Sequence, residues 1–234
     1  MSAGGCSGCT GLTTVPLTYQ PPTPDPANLT AIEALTLPTT SGTQCNNSNT
    51  APVAYSSTNP PSINCNGLKM TGGPTVNLTP GTYIFYNSSI SLNNGTLECT
   101  TCTGVGSSGV TIIMTGSPAS STGTIDIKGN VHVSLVAPAT NSYNSALNGV
   151  LFYTNQNATS GNTVNLTGDS ASTYGGAMYF PSSAVTFIGN TSGSVPNCSE
   201  VIGYSLNFTG NSGFNISGCS SQNVAQTQTV QLAQ

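Results

Sequence analysis

The chain has 234 residues, of which 3% are charged and 36% hydrophobic, with Lys69, Lys128 and one histidine, His132, set against six acids. An ordinary soluble domain is about a quarter charged, so this composition argues against nucleic-acid binding, because two lysines cannot neutralise a phosphate backbone, and against a long surface helix laced with ion pairs. A net charge of −4 beside that much apolar content also argues against a chain held open by self-repulsion.

Residues 1–70 hold nine of the 15 prolines: Pro16, Pro21, Pro22, Pro24, Pro26, Pro38, Pro52, Pro60 and Pro61. Proline cannot donate to a sheet ladder, so this stretch reads as an irregular extended arm or cap. Ala31, Ile32, Ala34 and Leu35 allow one helical turn over residues 28–35. Residues 71–234 read as a separate all-β domain. Apolar alternation recurs there in short runs broken by Gly, Asn and Ser. Examples are Val76-Asn77-Leu78, Tyr83-Ile84-Phe85-Tyr86, Val110-Thr111-Ile112-Ile113-Met114, Ile125-Asp126-Ile127, Val131-His132-Val133 and Val150-Leu151-Phe152-Tyr153. The period is two and the breaks come too often for helices.

An internal repeat orders these runs. Val164-Asn165-Leu166-Thr167-Gly168-Asp169-Ser170 recurs as Val185-Thr186-Phe187-Ile188-Gly189-Asn190-Thr191 and as Leu206-Asn207-Phe208-Thr209-Gly210-Asn211-Ser212, each offset by 21 residues. Looser echoes start at Ile125 and Val76. A period of about 20 residues with Gly-Asn corners points to a solenoid, here a single-stranded parallel β-helix of about 21 residues per coil, each coil three short strands and three turns. Val164, Leu166, Val185, Phe187, Leu206 and Phe208 are expected to point inward, and Asn165, Thr186 and Asn207 outward. Gly168, Gly189 and Gly210 are expected to free each corner, and Asp169, Asn190 and Asn211 to form a structural turn ladder.

The eight cysteines fit the same frame. Cys198 and Cys219 are one period apart, so adjacent rungs about 4.8 Å apart would bring them within disulfide range. Cys45 and Cys65 are expected to close a loop in the arm. Cys6-Ser7-Gly8-Cys9 and Cys99-Thr100-Thr101-Cys102 are C-x-x-C pairs; together they match a four-thiolate zinc site, but an oxidising compartment favours local or crossed disulfides. Asn-X-Ser/Thr triplets begin at Asn28, Asn46, Asn77, Asn87, Asn94, Asn157, Asn165, Asn190, Asn197, Asn207 and Asn215; a chain this rich in Asn, Ser and Thr produces such matches by chance, and glycosylation needs a eukaryotic or archaeal host.

Catalytic patterns are sparse. His132 would have to serve any Ser-His-Asp arrangement, and no G-x-S-x-G elbow accompanies it. Asp126 and Lys128 share one strand face and read as a surface ion pair. Nothing brings two of the six acids together as glycoside hydrolysis requires. No catalytic, cofactor or metal residue is assigned, and the chain reads as a non-enzyme. No apolar run reaches the roughly 18 residues that span a bilayer, and Met1-Ser2-Ala3-Gly4-Gly5-Cys6 lacks the basic and apolar regions of a secretion signal. If the protein is exported, its targeting segment lies outside this sequence. With few carboxylates to protonate, unfolding is expected to vary little between pH 7 and pH 2.

A resemblance spans about residues 76–220. Thr79-Pro80-Gly81-Thr82-Tyr83-Ile84, Gly109-Val110-Thr111-Ile112, Val133-Ser134-Leu135-Val136-Ala137-Pro138, Gly149-Val150-Leu151-Phe152-Tyr153 and Gly175-Gly176-Ala177-Met178-Tyr179-Phe180-Pro181 follow in that order. Val185-Thr186-Phe187-Ile188-Gly189-Asn190, Cys198, Val201-Ile202-Gly203-Tyr204 and Cys219 complete the series. Together they resemble the C-terminal region of TadG-like proteins of the Flp/Tad pilus-assembly system. Thr154-Asn155-Gln156-Asn157 stands where that family often has Gln-Asp-Arg, and the family's N-terminal membrane segment has no counterpart here. The resemblance implies an extracellular or cell-surface structural protein, pilus- or surface-associated, for adhesion or assembly. Its partners would be further copies, pilus or cell-surface components, or a polysaccharide. A carbohydrate-binding or carbohydrate-active β-helix is the alternative, and an ice-binding face, with Thr167, Ile188 and Thr209 in one outward row, a minor one.

Overall fold

Most of the strands have only three to six residues and cannot bury a face alone; here they do so by stacking. The computed structural model describes residues 45–47, 53–55, 67–155, 158, 162–169, 171–189 and 199–209. Among them fourteen strands pair, every pair parallel, along three faces of a winding chain. The protein is a parallel β-helix.

The first coil supplies β1 (Cys45–Asn47) and β2 (Val53–Tyr55). The second supplies β3 (Leu68–Met70), β4 (Thr75–Leu78) and β5 (Gly81–Tyr86) to faces I, II and III. The third supplies β6 (Ile90–Leu92), β7 (Gly95–Glu98) and β8 (Val110–Thr115), and the fourth β9 (Ile125–Ile127), β10 (Val131–Val136) and β11 (Val150–Thr154). β12 (Asn162–Gly168) opens the fifth coil on face I. β13 (Thr173–Gly189) then bends across faces II, III and I, and β14 (Ser199–Thr209) across III and I.

The 21-residue repeat lies in register as expected. Val164, Val185 and Leu206 are direct partners, as are Leu166, Phe187 and Phe208, and Gly168 with Gly189. The echo at Ile125 is the rung directly beneath, since Asp126 pairs with Asn165. The echo at Val76 belongs to face II, where Val76 stacks beneath Leu97.

Coil length is not constant, which corrects the single value of about 21. Lys69 pairs with Ser91 and Ser91 with Asp126, steps of 22 and 35. Asp126 pairs with Asn165, a step of 39. Thr186 then follows Asn165, and Asn207 follows Thr186, each after 21. The surplus sits in corner loops, 99–109 and 116–124 in the third coil and 137–149 in the fourth. Such loops run over the surface and lengthen at small entropic cost. The boundary at residue 70 also moves, because β1, β2 and β3 are rungs of the same solenoid. The helical turn read at residues 28–35, and the rest of the expected arm before residue 67, lie outside the described residues.

The interior is a column of apolar side chains. On face I it runs Leu68, Ile90, Ile125, Val164, Val185, and beside it Met70, Leu92, Ile127, Leu166, Phe187, none more than 4% exposed. On face III, Tyr83, Ile112, Phe152 and Met178 stack in register. Face III is buried on its outer side too. Ile84, Ile113, Tyr153 and Tyr179 form a second column under the 137–149 loop, whose Leu147 is fully buried against them. Tyr153 and Tyr179 stack at 5.7 Å and 4°. Glycine is required at one tight corner: Gly95 has φ +114°, and a Cβ there would lie 2.3 Å from the Pro74 carbonyl oxygen.

Candidate functional site

The outward positions decide what the solenoid shows to solvent. Face I carries Lys69, Ser91, Asp126, Asn165, Thr186 and Asn207 in one column. Asn165 Nδ2 donates to Asp126 Oδ1 at 2.8 Å, and Lys128 Nζ lies 2.8 Å from Asp126 Oδ2. That ion pair is the one expected from the sequence; exposed as it is, it is worth about 0–1 kcal/mol. In the neighbouring column Thr167, Ile188 and Thr209 align, and Ile188, 47% exposed, interrupts the threonines.

The disulfide follows β7 at the end of face II and faces inward, Cys99 buried in the apolar core and Cys102 packed against it. Cys99 and Cys102 are bonded, with Cα atoms 5.3 Å apart, closing a turn in which the Cys102 amide donates to the Cys99 carbonyl at 3.1 Å. Asn77, one coil below, fixes that turn: its Oδ1 accepts from the Thr100 amide at 3.2 Å and its Nδ2 donates to Thr100 Oγ1 at 2.9 Å. These two cysteines form the local bridge and hold no thiolate for zinc, so the four-thiolate alternative loses half its ligands. A bridge across so short a loop restricts the unfolded chain little, so replacing both cysteines by serine should cost no more than about 2 kcal/mol. Urea unfolding of the double variant measures it; a larger loss would mean the turn also holds loop 99–109 in place.

The sequence did not reveal His132 as a partner for Asp169, 37 residues away. His132 Nδ1 lies 3.1 and 3.2 Å from the two carboxylate oxygens, and since a carboxylate only accepts, Nδ1 carries the proton. Asp169 Oδ1 also accepts from the Ala171 amide at 3.1 Å and sits 3.0 Å from Ser172 Oγ. Acyl transfer needs a serine hydrogen-bonded to the histidine and open to substrate. Here Ser172 is 1% exposed, accepts from the Val133 amide at 3.0 Å, and meets the carboxylate instead. The trio ties a corner together.

Asp169 bonds across the corner to His132. Gly168 is not a left-handed corner: it ends β12, and its lack of a Cβ makes room for the Ser172 side chain, whose Oγ and Cβ would lie 2.4 and 2.5 Å from one. Asn190, Gly210 and Asn211 lie outside the described residues, as do Cys6, Cys9, Cys65, Cys198 and Cys219. Cys45 opens β1 opposite Leu68.

The titratable groups pull in opposite directions. Burial works against the Asp169 charge, but the His132, Ser172 and Ala171 hydrogen bonds outweigh it and hold the carboxyl below its ordinary value. Burial alone raises Glu200, which is half-buried. The sign follows for each. Asp169 contributes stability above the ordinary carboxylate value and loses it as pH falls toward its own lower one; Glu200 penalises the fold while charged and stops doing so as pH falls through its raised value. The thermal midpoint should therefore be level or rise slightly from pH 7 to 5 and decline only below about pH 4. Asp169→Asn removes the decline and Glu200→Gln the rise. A steep loss between pH 7 and 5 at constant ionic strength would contradict both assignments.

Of the four acids among the described residues, Asp126 pairs with Lys128 on face I, Glu98 ends β7 on face II, Asp169 bonds His132 at the corner between faces I and II, and Glu200 lies on face III. Among the described residues no three of His, Cys, Asp and Glu gather as metal ligands, and no helix is long and apolar enough to cross a membrane. Comparison with protein-family models, curated proteins and solved structures returned no match.

Proposed function

We propose that the protein is a non-enzymatic extracellular or cell-surface component, a β-solenoid that builds or decorates a surface assembly such as a pilus. The observation that carries this reading is the closed Cys99–Cys102 bridge, with Cys99 packed into the apolar core at the end of β7. Disulfides persist in oxidising compartments and are rare in the cytosol of mesophiles. A rigid rod of stacked coils with columns of Asn, Ser and Thr outside has the character of a structural element. The ordered resemblance to TadG-like proteins supports the same reading and adds the pilus as the assembly.

The test is location. Antibody against the chain should label intact cells of its source, protease added outside should remove the label, and shearing that strips surface filaments should release the protein with them. Recovery in the cytosol with Cys99 and Cys102 as free thiols would overturn the proposal.

A further inference from the structure

One carboxyl group on the outer side of face I holds an amine and a carboxamide at once. Lys128 Nζ lies 2.8 Å from Asp126 Oδ2, while Asn165 Nδ2 donates to Asp126 Oδ1 at 2.8 Å. The backbone fixes both partners. The Lys128 amide donates to the Leu92 carbonyl at 2.8 Å, and Asn165 lies in β12, in register between Asp126 of β9 and Thr186 of β13. Lys69, the chain's other lysine, stacks beneath Ser91, and among the described residues it makes no ion pair.

Amine, carboxamide and carboxylate are the complete set of groups for an amide exchange. An ammonium has no lone pair, so it must lose a proton before it can attack a carbonyl carbon. A carboxylate within hydrogen-bond reach can take that proton and return it to the departing nitrogen. Holding the reactants side by side replaces a bimolecular encounter, with effective molarities of about 10⁵–10⁸ M when the orientation is good. The Lys128 side chain is 58% exposed, so its stem has room to swing Nζ from Asp126 to the Asn165 carboxamide one rung above.

We propose that Lys128 and Asn165 become joined by an isopeptide bond, which the folded chain forms by itself with Asp126 as the proton carrier. Asp126 takes one proton from the Lys128 ammonium, and Nζ attacks Asn165 Cγ. The Nζ–Cγ bond forms and the Cγ–Nδ2 bond breaks. Nζ keeps one hydrogen; its other two protons leave with Nδ2 as ammonium, the first of them through Asp126, which ends as a carboxylate. No oxidant, cofactor or water is consumed. The link ties the fourth coil to the fifth across the step of 39 residues, the longest among the described rungs of face I, where the most chain has to be held closed. This does not depend on the functional reading above.

Intact mass and trypsin test it on the full chain. The purified protein, after reduction, should weigh about 17 Da less than its sequence, the loss of one ammonia. Trypsin cuts after lysine and arginine, and this chain offers it only Lys69 and Lys128. Denatured and digested, the protein should be cut after Lys69 and resist after Lys128, because an acylated lysine is no longer a trypsin site. K128R and D126A should each show the full sequence mass, be cut at both positions and keep the far-ultraviolet circular dichroism of the parent. Full mass together with cutting after Lys128 in the parent protein overturns the proposal. So does an ammonia loss that persists in K128R, which would place it elsewhere, or in D126A, which would remove the proton carrier. A gain of about 1 Da at Asn165 also overturns it, because water rather than Lys128 would then be the attacking group.

Discussion

Phe152→Ala should destabilise the protein by about 3–5 kcal/mol, the range for deleting a buried aromatic ring. Phe152 sits fully buried in the fourth coil, between Ile112 below and Met178 above. Its ring centroid lies 6.1 Å from Phe180 and 6.4 Å from Tyr174, so one truncation removes contacts to two aromatic neighbours and both adjoining rungs. A column of stacked rungs cannot collapse sideways into the gap without breaking strand register, which places the cost in the upper part of that range. Domain stabilities are about 5–15 kcal/mol, so the loss is a large share of the whole. Urea unfolding followed by far-ultraviolet circular dichroism measures it, with Val105→Ser, at a side chain 75% exposed, as the control that should shift by less than about 0.5 kcal/mol. A loss under about 1 kcal/mol for Phe152→Ala would mean that the interior is not packed as described.

The second large effect comes from a polar residue. Asn141 is buried beneath the 137–149 loop, where its Nδ2 donates to Thr111 Oγ1 at 2.9 Å and Thr82 Oγ1 at 3.1 Å. Its Oδ1 accepts from the Tyr143 and Asn144 amides at 2.9 and 3.1 Å, and its own amide donates to Asn148 Oδ1 at 2.6 Å. One carboxamide thus joins the third face of two coils to the loop that covers it. Asn141→Leu keeps the volume and strands those amides without an acceptor; at about 1–3 kcal/mol for each buried group left unpaired, the loss should be about 2–4 kcal/mol. The damage should begin locally. Hydrogen exchange over residues 139–149 should accelerate before the rest of the chain opens. The near-ultraviolet signal, which comes largely from tyrosine in a chain without tryptophan, should weaken as the Tyr153–Tyr179 stack is uncovered. Unchanged exchange in that loop would show that it is held by Leu147 and its apolar neighbours alone.

These two sites differ in how far the sequence announces them. Phe152 lies in Val150-Leu151-Phe152-Tyr153, one of several continuous apolar runs, with Tyr83-Ile84-Phe85-Tyr86 and Ile112-Ile113-Met114. Strands buried on both sides read this way, while those of face I alternate. That contrast was present in the sequence and marks face III as the doubly covered one. Asn141 has no such signal. Thr140-Asn141-Ser142 has the composition of a solvated loop, and only its fold over the Thr82 and Thr111 hydroxyls makes it a buried anchor. The same holds for His132 and Asp169, whose approach depends on the length of the fourth coil.

What the sequence determined by itself was the period-two strands, the parallel winding and the register of Val164, Val185 and Leu206, because a repeat of equal length places chemically equivalent side chains on successive rungs and apolar columns then choose the inside. What only the tertiary structure decided was the rest of the coil lengths, the outer column of face III and the bonding partners of Asp169, Asn77 and Asn141. Corner loops change the count of residues per coil without changing the rungs they join. Contacts made through them therefore leave no periodic trace, and they become visible only when the chain has closed each turn in space.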